Sequence, residues 1–222
     1  MNVIVHGVQS VSEDWAQVSA LLGETEVPDR RGRKGVPLPD DYSLRTEIDD
    51  LHAVLDRHEN PTLIGHSYGG LIALLTARER DDLKALVLYE PALYLAGEIL
   101  DRIESALREG DRDRALEIVA VEVAGEQPFR VEDPEGWLRA QDLVDTTFRE
   151  LQQVSFYVHE PAEIKAPLTV ILGERTEPYF GRAARDAGGE LVTLKGEGHV
   201  AHVTNPELLA ETIRRGSTTL GG

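Results

Sequence analysis

Cysteine is absent from the 222 residues, which rules out disulfides, a thiol nucleophile and thiolate metal sites. Cations are scarce. Twenty-three Lys and Arg stand against 40 Asp and Glu, and the formal net charge of −17 has the wrong sign for a phosphate backbone or an anionic membrane surface. We read the acidic balance as a solubility feature. No apolar run reaches membrane-spanning length, and Met1–Gly7 has no basic segment followed by a long apolar stretch, so neither a span nor a secretory signal is expected. A cytoplasmic location is the simplest expectation. The histidines lack the two-His helical spacing of a metal site, and no glycine-rich phosphate loop occurs. Neither a metal nor a cofactor is expected, and the expected partner is a small-molecule substrate.

What is present is an alternation of short apolar runs with amphipathic stretches, the pattern of a parallel sheet flanked by helices. Strands are expected at Val3–Val5, Val27-Pro28, Thr62–Ile64, Lys84–Tyr89, Leu168–Leu172 and Glu190–Leu194. Helical spacing occurs at Glu13–Leu22, Leu44–His58 (with Ser43 as N-cap), Gly69–Arg80 and Pro206–Arg215. Between Glu90 and Pro167 the rhythm is purely helical, at Ile99–Arg108, Arg112–Val123 and Glu135–Val154. The reading is an α/β fold of three layers (α/β/α), its mostly parallel sheet having about six strands. Residues 1–91 and 162–222 form the core, residues 92–161 form a helical lid inserted after the strand ending at Tyr89, and a disordered tail follows from Ser217.

One constellation carries chemistry. Gly65-His66-Ser67-Tyr68-Gly69 fits G-x-S-x-G, a strand-to-helix turn that presents a serine at a sheet edge. The pattern is weak alone, but Thr62–Ile64 before it and the helical run after it supply its context. His6-Gly7-Val8 follows the first strand, so the backbone N–H groups of Val8 and Tyr68 are the expected oxyanion donors. The His6 side chain is expected to hold its loop by hydrogen bonding. His199, in Gly196-Glu197-Gly198-His199, is the expected base for Ser67. His202 is a rival that should point towards the last helix, while His52, His58, His66 and His159 read as exposed or structural.

On these residues the chain resembles the α/β-hydrolase superfamily. The resemblance rests on His6-Gly7-Val8, the basic loop Asp29–Gly35, Gly65–Gly69, and Gly198-His199 with Pro206-Glu207 beyond. It implies a parallel-sheet core, a lid after Tyr89 and no cofactor. Two departures stand out. The hairpin that usually precedes the first strand is missing, which exposes a sheet edge unless the lid or a homodimer covers it. In addition, Thr176 occupies the position where such chains often carry the acid. Glu90, at the end of the preceding strand, is then the first candidate for the acid and Glu177 the second. A catalytically inert binding protein also stays open.

The expected activity is that of an esterase-like serine hydrolase cleaving a small carboxylic ester, thioester, lactone or amide through an acyl-enzyme. An acyltransferase or lyase on the same fold is the alternative. Trp137, Phe148, Phe156, Tyr157 and Phe180 are candidate substrate contacts. Arg30, Arg31, Arg33 and Lys34 either recognise an anion or serve the structure.

Overall fold

The structure, a computed structural model, describes residues 1–126 and 133–217. Of the tail expected to be disordered, residues 218–222 lie outside the described residues. Six strands form one sheet: β1 (Asn2–Val5), β2 (Thr25–Glu26), β3 (Thr62–His66), β4 (Ala85–Tyr89), β5 (Leu168–Gly173) and β6 (Glu190–Leu194). Their order is β2-β1-β3-β4-β5-β6, and every neighbouring pair is parallel.

The apolar runs lack a polar alternate because both faces are covered. On one face Val3, Val5, Leu63, Leu86, Leu88 and Val170 pack against Ile48, Leu51 and Leu55 of α2 (Leu44–Leu55) and Leu71 and Leu74 of α3 (Tyr68–Arg78). On the other, Ile4, Ile64, Val87 and Ile171 meet Val18 of α1 (Ala16–Leu22) and Leu209 and Ile213 of α9 (Pro206–Gly216). The alternation of Val3, Ile4 and Val5 between the two clusters follows the pleat.

Between β4 and β5 lie α4 (Gly97–Arg108), α5 (Arg112–Ile118) and α6 (Pro134–Phe156). They enclose a core of their own, including Ile103, Leu116, Trp137, Val144 and Leu151. No helix among the described residues is long and apolar enough to cross a membrane.

Three expectations are corrected. The second strand is Thr25–Glu26, paired with Asn2 and Val3, and not Val27-Pro28; Pro28 has no N–H to give a ladder. The helix expected over Arg112–Val123 changes at Val119 to a wider π turn, with the Ala124 N–H donating to the Val119 carbonyl at 3.0 Å. Two helices were not expected, α7 (Pro178–Ala187) and the single turn α8 (Ala201–Thr204). For α7 the signal was present: Pro178 at its first position and a buried stripe at Phe180, Ala183 and Ala184.

Candidate active site

β3 runs into α3 through Ser67, whose backbone is left-handed at φ 54° and ψ −121°. Glycines make the turn feasible. A Cβ on Gly65 would sit 2.6 Å from the Gly69 carbonyl oxygen, and one on Gly69 would run into the carbonyls of Val5 and His6. The Ser67 N–H donates to the Tyr89 carbonyl at 3.0 Å, and the Ser67 carbonyl accepts from the N–H groups of Gly70 and Ala92 at 2.9 Å. The elbow is thereby pinned to the end of β4, and its serine is 3% exposed.

β4 delivers Glu90, fully buried, at a second left-handed position with φ 44°. Its Oε2 accepts from His199 Nδ1 at 2.6 Å, and its Oε1 accepts from the Gly173 N–H at 2.8 Å. A carboxylate only accepts here, so the proton of a neutral His199 sits on Nδ1 and its Nε2 carries the lone pair.

The loop bearing His199 lies directly on the end of β5. A Cβ on Gly173 would come within 2.6 Å of the Glu197 carbonyl oxygen. Two side chains hold this loop by its backbone. The Tyr89 hydroxyl donates to the Gly198 carbonyl and accepts from the Ala201 N–H. His66 Nε2 donates to the His199 carbonyl at 3.0 Å. The His66 ring is 4.6 Å from that of His199, and Phe180 stacks on His199 at 4.5 Å. A third tie comes from the helical segment, where Glu126 Oε1 accepts from the His199 N–H at 3.0 Å. None of these three ties was read from the sequence. Partners more than seventy residues apart leave no local pattern.

The His6-Gly7-Val8 turn abuts the elbow. A Cβ on Gly7 would lie 2.8 Å from Ser67 Cβ. Among the described residues, the N–H groups of Val8 and Tyr68 have no hydrogen-bond acceptor.

The other candidates separate. Glu177 does not join His199; it stands at the N-cap position of α7 without a capping bond from its side chain, and packs against Gly125. Phe180 is the one candidate aromatic that stacks on His199. Trp137 is 4% exposed inside the helical core, and its indole N–H donates to Asp113. Phe148 packs at the edge of the same core, and Tyr157 bonds His159 at 3.1 Å. Phe156, the last residue of α6, is 73% exposed. An apolar cavity of about 90 Å³ is lined by Tyr94, Leu95, Ala96, Ile99 and Tyr179; the Tyr179 ring lies 4.5 Å from that of Phe180. A larger cavity of about 290 Å³ lies elsewhere, between Val5, Pro28 and α2.

The cationic loop is occupied within the chain. Arg30 pairs with Glu47 and Glu150 at 2.8 Å, Arg33 grips Glu150 with two bonds, and Arg31 does the same with Asp50. Lys34 pairs with Glu13. Thr146 of α6 fills the space against Gly32, at φ 77°. The loop therefore binds the long insert helix to the core, and the structural alternative is the one favoured.

Burial drives three histidines away from charge. His6, His66 and His202 are all held below the ordinary value of 6.5, chiefly by desolvation; His202 falls to about 3. Arg30 and Arg33 add to the effect at His6, and His199 adds to it at His66 and His202. In the unfolded chain these rings take up protons near pH 6.5, while the folded chain refuses them. Unfolding therefore binds protons, and the stability these groups contribute is full above pH 6.5 and lost as pH falls towards the folded-state values. Glu47, raised by burial, acts in the opposite sense. The expected result is a loss approaching about 1.4 kcal/mol per pH unit per histidine below pH 6. Urea midpoints measured between pH 7.5 and 5 check it, and His202→Asn should flatten the slope.

Comparisons with known proteins agree with this architecture. A model of the alpha/beta hydrolase family matches residues 3–212. Lipase LipV of Mycobacterium tuberculosis is 31% identical over 108 residues, which is 46% of this chain and 41% of that protein. A cis-3-alkyl-4-alkyloxetan-2-one decarboxylase of Shewanella oneidensis is 38% identical over 97 residues, 39% of this chain and 30% of that protein. The matched stretches thus span less than half the length of either relative. Among solved structures, an alpha/beta hydrolase from Sphaerobacter thermophilus superposes with a TM-score of 0.78 at 22% identity, covering 98% of this chain and 92% of that one.

Proposed function

The chain belongs to the alpha/beta hydrolase family, and from that premise we propose that it hydrolyses small carboxylic esters or lactones, with thioesters and amides as related substrates, through an acyl-enzyme on Ser67. The observation that carries the reading is the buried 2.6 Å contact between Glu90 and His199 Nδ1 beside the strained Ser67 elbow. His199 Nε2 takes the hydroxyl proton as Ser67 Oγ bonds to the acyl carbon. The carbonyl oxygen becomes an oxyanion facing the N–H groups of Val8 and Tyr68. Glu90 stabilises the imidazolium and stays ionised. Collapse expels the alcohol, which leaves with the proton from His199. A water molecule then repeats the sequence on the acyl-enzyme, releasing the acid and restoring Ser67.

Helices α4–α6 act as the lid in this reading, and the apolar cavity beside Phe180 and Tyr179 receives the acyl chain. At about 90 Å³ it suits a short one. With nitrophenyl esters, acetate and butyrate should turn over at least about tenfold faster than dodecanoate, because a long chain has nowhere dry to go. Equal rates across the series would remove the assignment of that cavity.

The decarboxylase relative favours a second reading, lyase chemistry on a four-membered lactone. The products discriminate. Hydrolysis of such a lactone yields the 3-hydroxy acid with all its carbons, whereas decarboxylation yields an alkene and carbon dioxide. We expect the hydroxy acid, and release of carbon dioxide would transfer the assignment to the lyase.

A further inference from the structure

Arg30 serves more than the packing of α6. Its Nη2 donates to the Gly7 carbonyl oxygen at 3.0 Å, and His6 Nδ1 reaches the same oxygen at 3.1 Å. That carbonyl and the Val8 N–H belong to one peptide unit. The unit is planar and trans, so the two bonds point in opposite directions. Fixing the oxygen on one side fixes the direction of the N–H on the other. Withdrawing electron density at the oxygen also strengthens the N–H as a donor, as in any chain of hydrogen bonds. The guanidinium further lies over the ring of Tyr68, with its carbon 5.1 Å from the centroid. One buried cation therefore touches both the Gly7–Val8 peptide unit, through the Gly7 oxygen, and the ring of Tyr68.

Resting on the acyl-enzyme reading, we propose that Arg30 is a positioning residue of the oxyanion hole, holding and polarising the Gly7–Val8 peptide so that the Val8 N–H meets the developing charge. The alternative is a purely structural arginine. The balance of charges argues for a local effect. Arg30 and Arg33 together face Glu47 and Glu150, so the cluster has little net charge and acts through its bonds. Tyr42 completes it, donating to Glu47 at 2.8 Å and sharing a hydrogen bond with the Tyr68 hydroxyl at 3.0 Å.

The test uses Arg30→Lys, which keeps the charge and loses the fork, and the double variant Arg30→Met with Glu47→Gln, which removes one cation and one anion together. The double variant carries the test if the single one does not fold. Glu47→Gln alone is assayed beside the double variant so that the loss due to Arg30 is read as the difference, and Asp50→Asn, which unties Arg31 only, is the control that should leave turnover near wild type. Each is assayed for kcat and KM on a nitrophenyl ester. Each is also trapped as an acyl-enzyme with a slowly deacylating ester, and the acyl carbonyl stretch is read by infrared difference spectroscopy. Removing an oxyanion donor outright costs about 10²–10³ in kcat, so loosening one should cost about 10–100-fold. KM should stay within about threefold, and the carbonyl band should rise towards that of the free ester. A fall in kcat with an unmoved band shows a structural arginine and overturns the proposal, as does unchanged kcat. If wild type gives no acyl band at all, it is the acyl-enzyme reading that fails, and this inference falls with it.

Discussion

Glu90→Gln will lower kcat by about three to four orders of magnitude, the scale on which a triad acid matters, while Glu177→Gln will stay within about threefold of wild type. The asymmetry follows from how Glu90 is held. One carboxylate oxygen accepts from His199 Nδ1 and the other from the Gly173 N–H. A glutamine has one acceptor and one donor end. With its oxygen towards His199, its amide hydrogens confront the Gly173 N–H. Reversed, they confront Nδ1 and force the tautomer whose Nε2 already carries a proton. In the first arrangement a buried donor is left without an acceptor, and in the second the base cannot function. Glu177 faces Gly125 and has no such coupling to His199. Steady-state kinetics of both variants on one ester decide the matter; comparable activity in the two would remove Glu90 from the acid's role.

Ser67→Ala will cost more, about five to six orders of magnitude in kcat, the scale for loss of a triad nucleophile. The substitution keeps the Cβ at φ 54° and removes only the hydroxyl. The turn, the bonds to Tyr89 and Ala92, and the packing against Gly7 all survive it. The melting temperature should stay within about 3 °C of wild type, since no buried volume or backbone bond is lost. A large fall in stability together with activity would mean that the hydroxyl serves the fold. Retained turnover would mean that another group attacks.

Much of this was legible in the sequence, for physical reasons. Parallel strands buried on both faces leave apolar runs that punctuation residues delimit, and Gly65, Gly69 and Gly7 are required by close backbone approach. Glu90 was legible by position, since it ends an apolar strand and precedes Pro91. The elements that were misread are those whose cause is remote. Thr25–Glu26 is a strand only because β1 lies beside it. His66 resembles any buried histidine until its bond to the His199 carbonyl is seen. The four cations of the Arg30–Lys34 loop were ambiguous because Glu150, which pairs with two of them, lies 117 residues beyond Arg33. Aromatic content carried no orientation: helical spacing could not tell that Trp137 fills the helical core while Phe156 meets solvent.

On the proposed mechanism the hydroxyl of Ser67 is a nucleophile activated by the histidine that Glu90 orients. Peptide mapping by mass spectrometry after treatment with an alkyl fluorophosphonate tests it most directly. One phosphonyl adduct per chain, carried on Ser67, is expected, with labelling at least about a thousandfold slower in His199→Ala. An adduct on any other residue, or an unmodified Ser67 in wild-type protein, would contradict it.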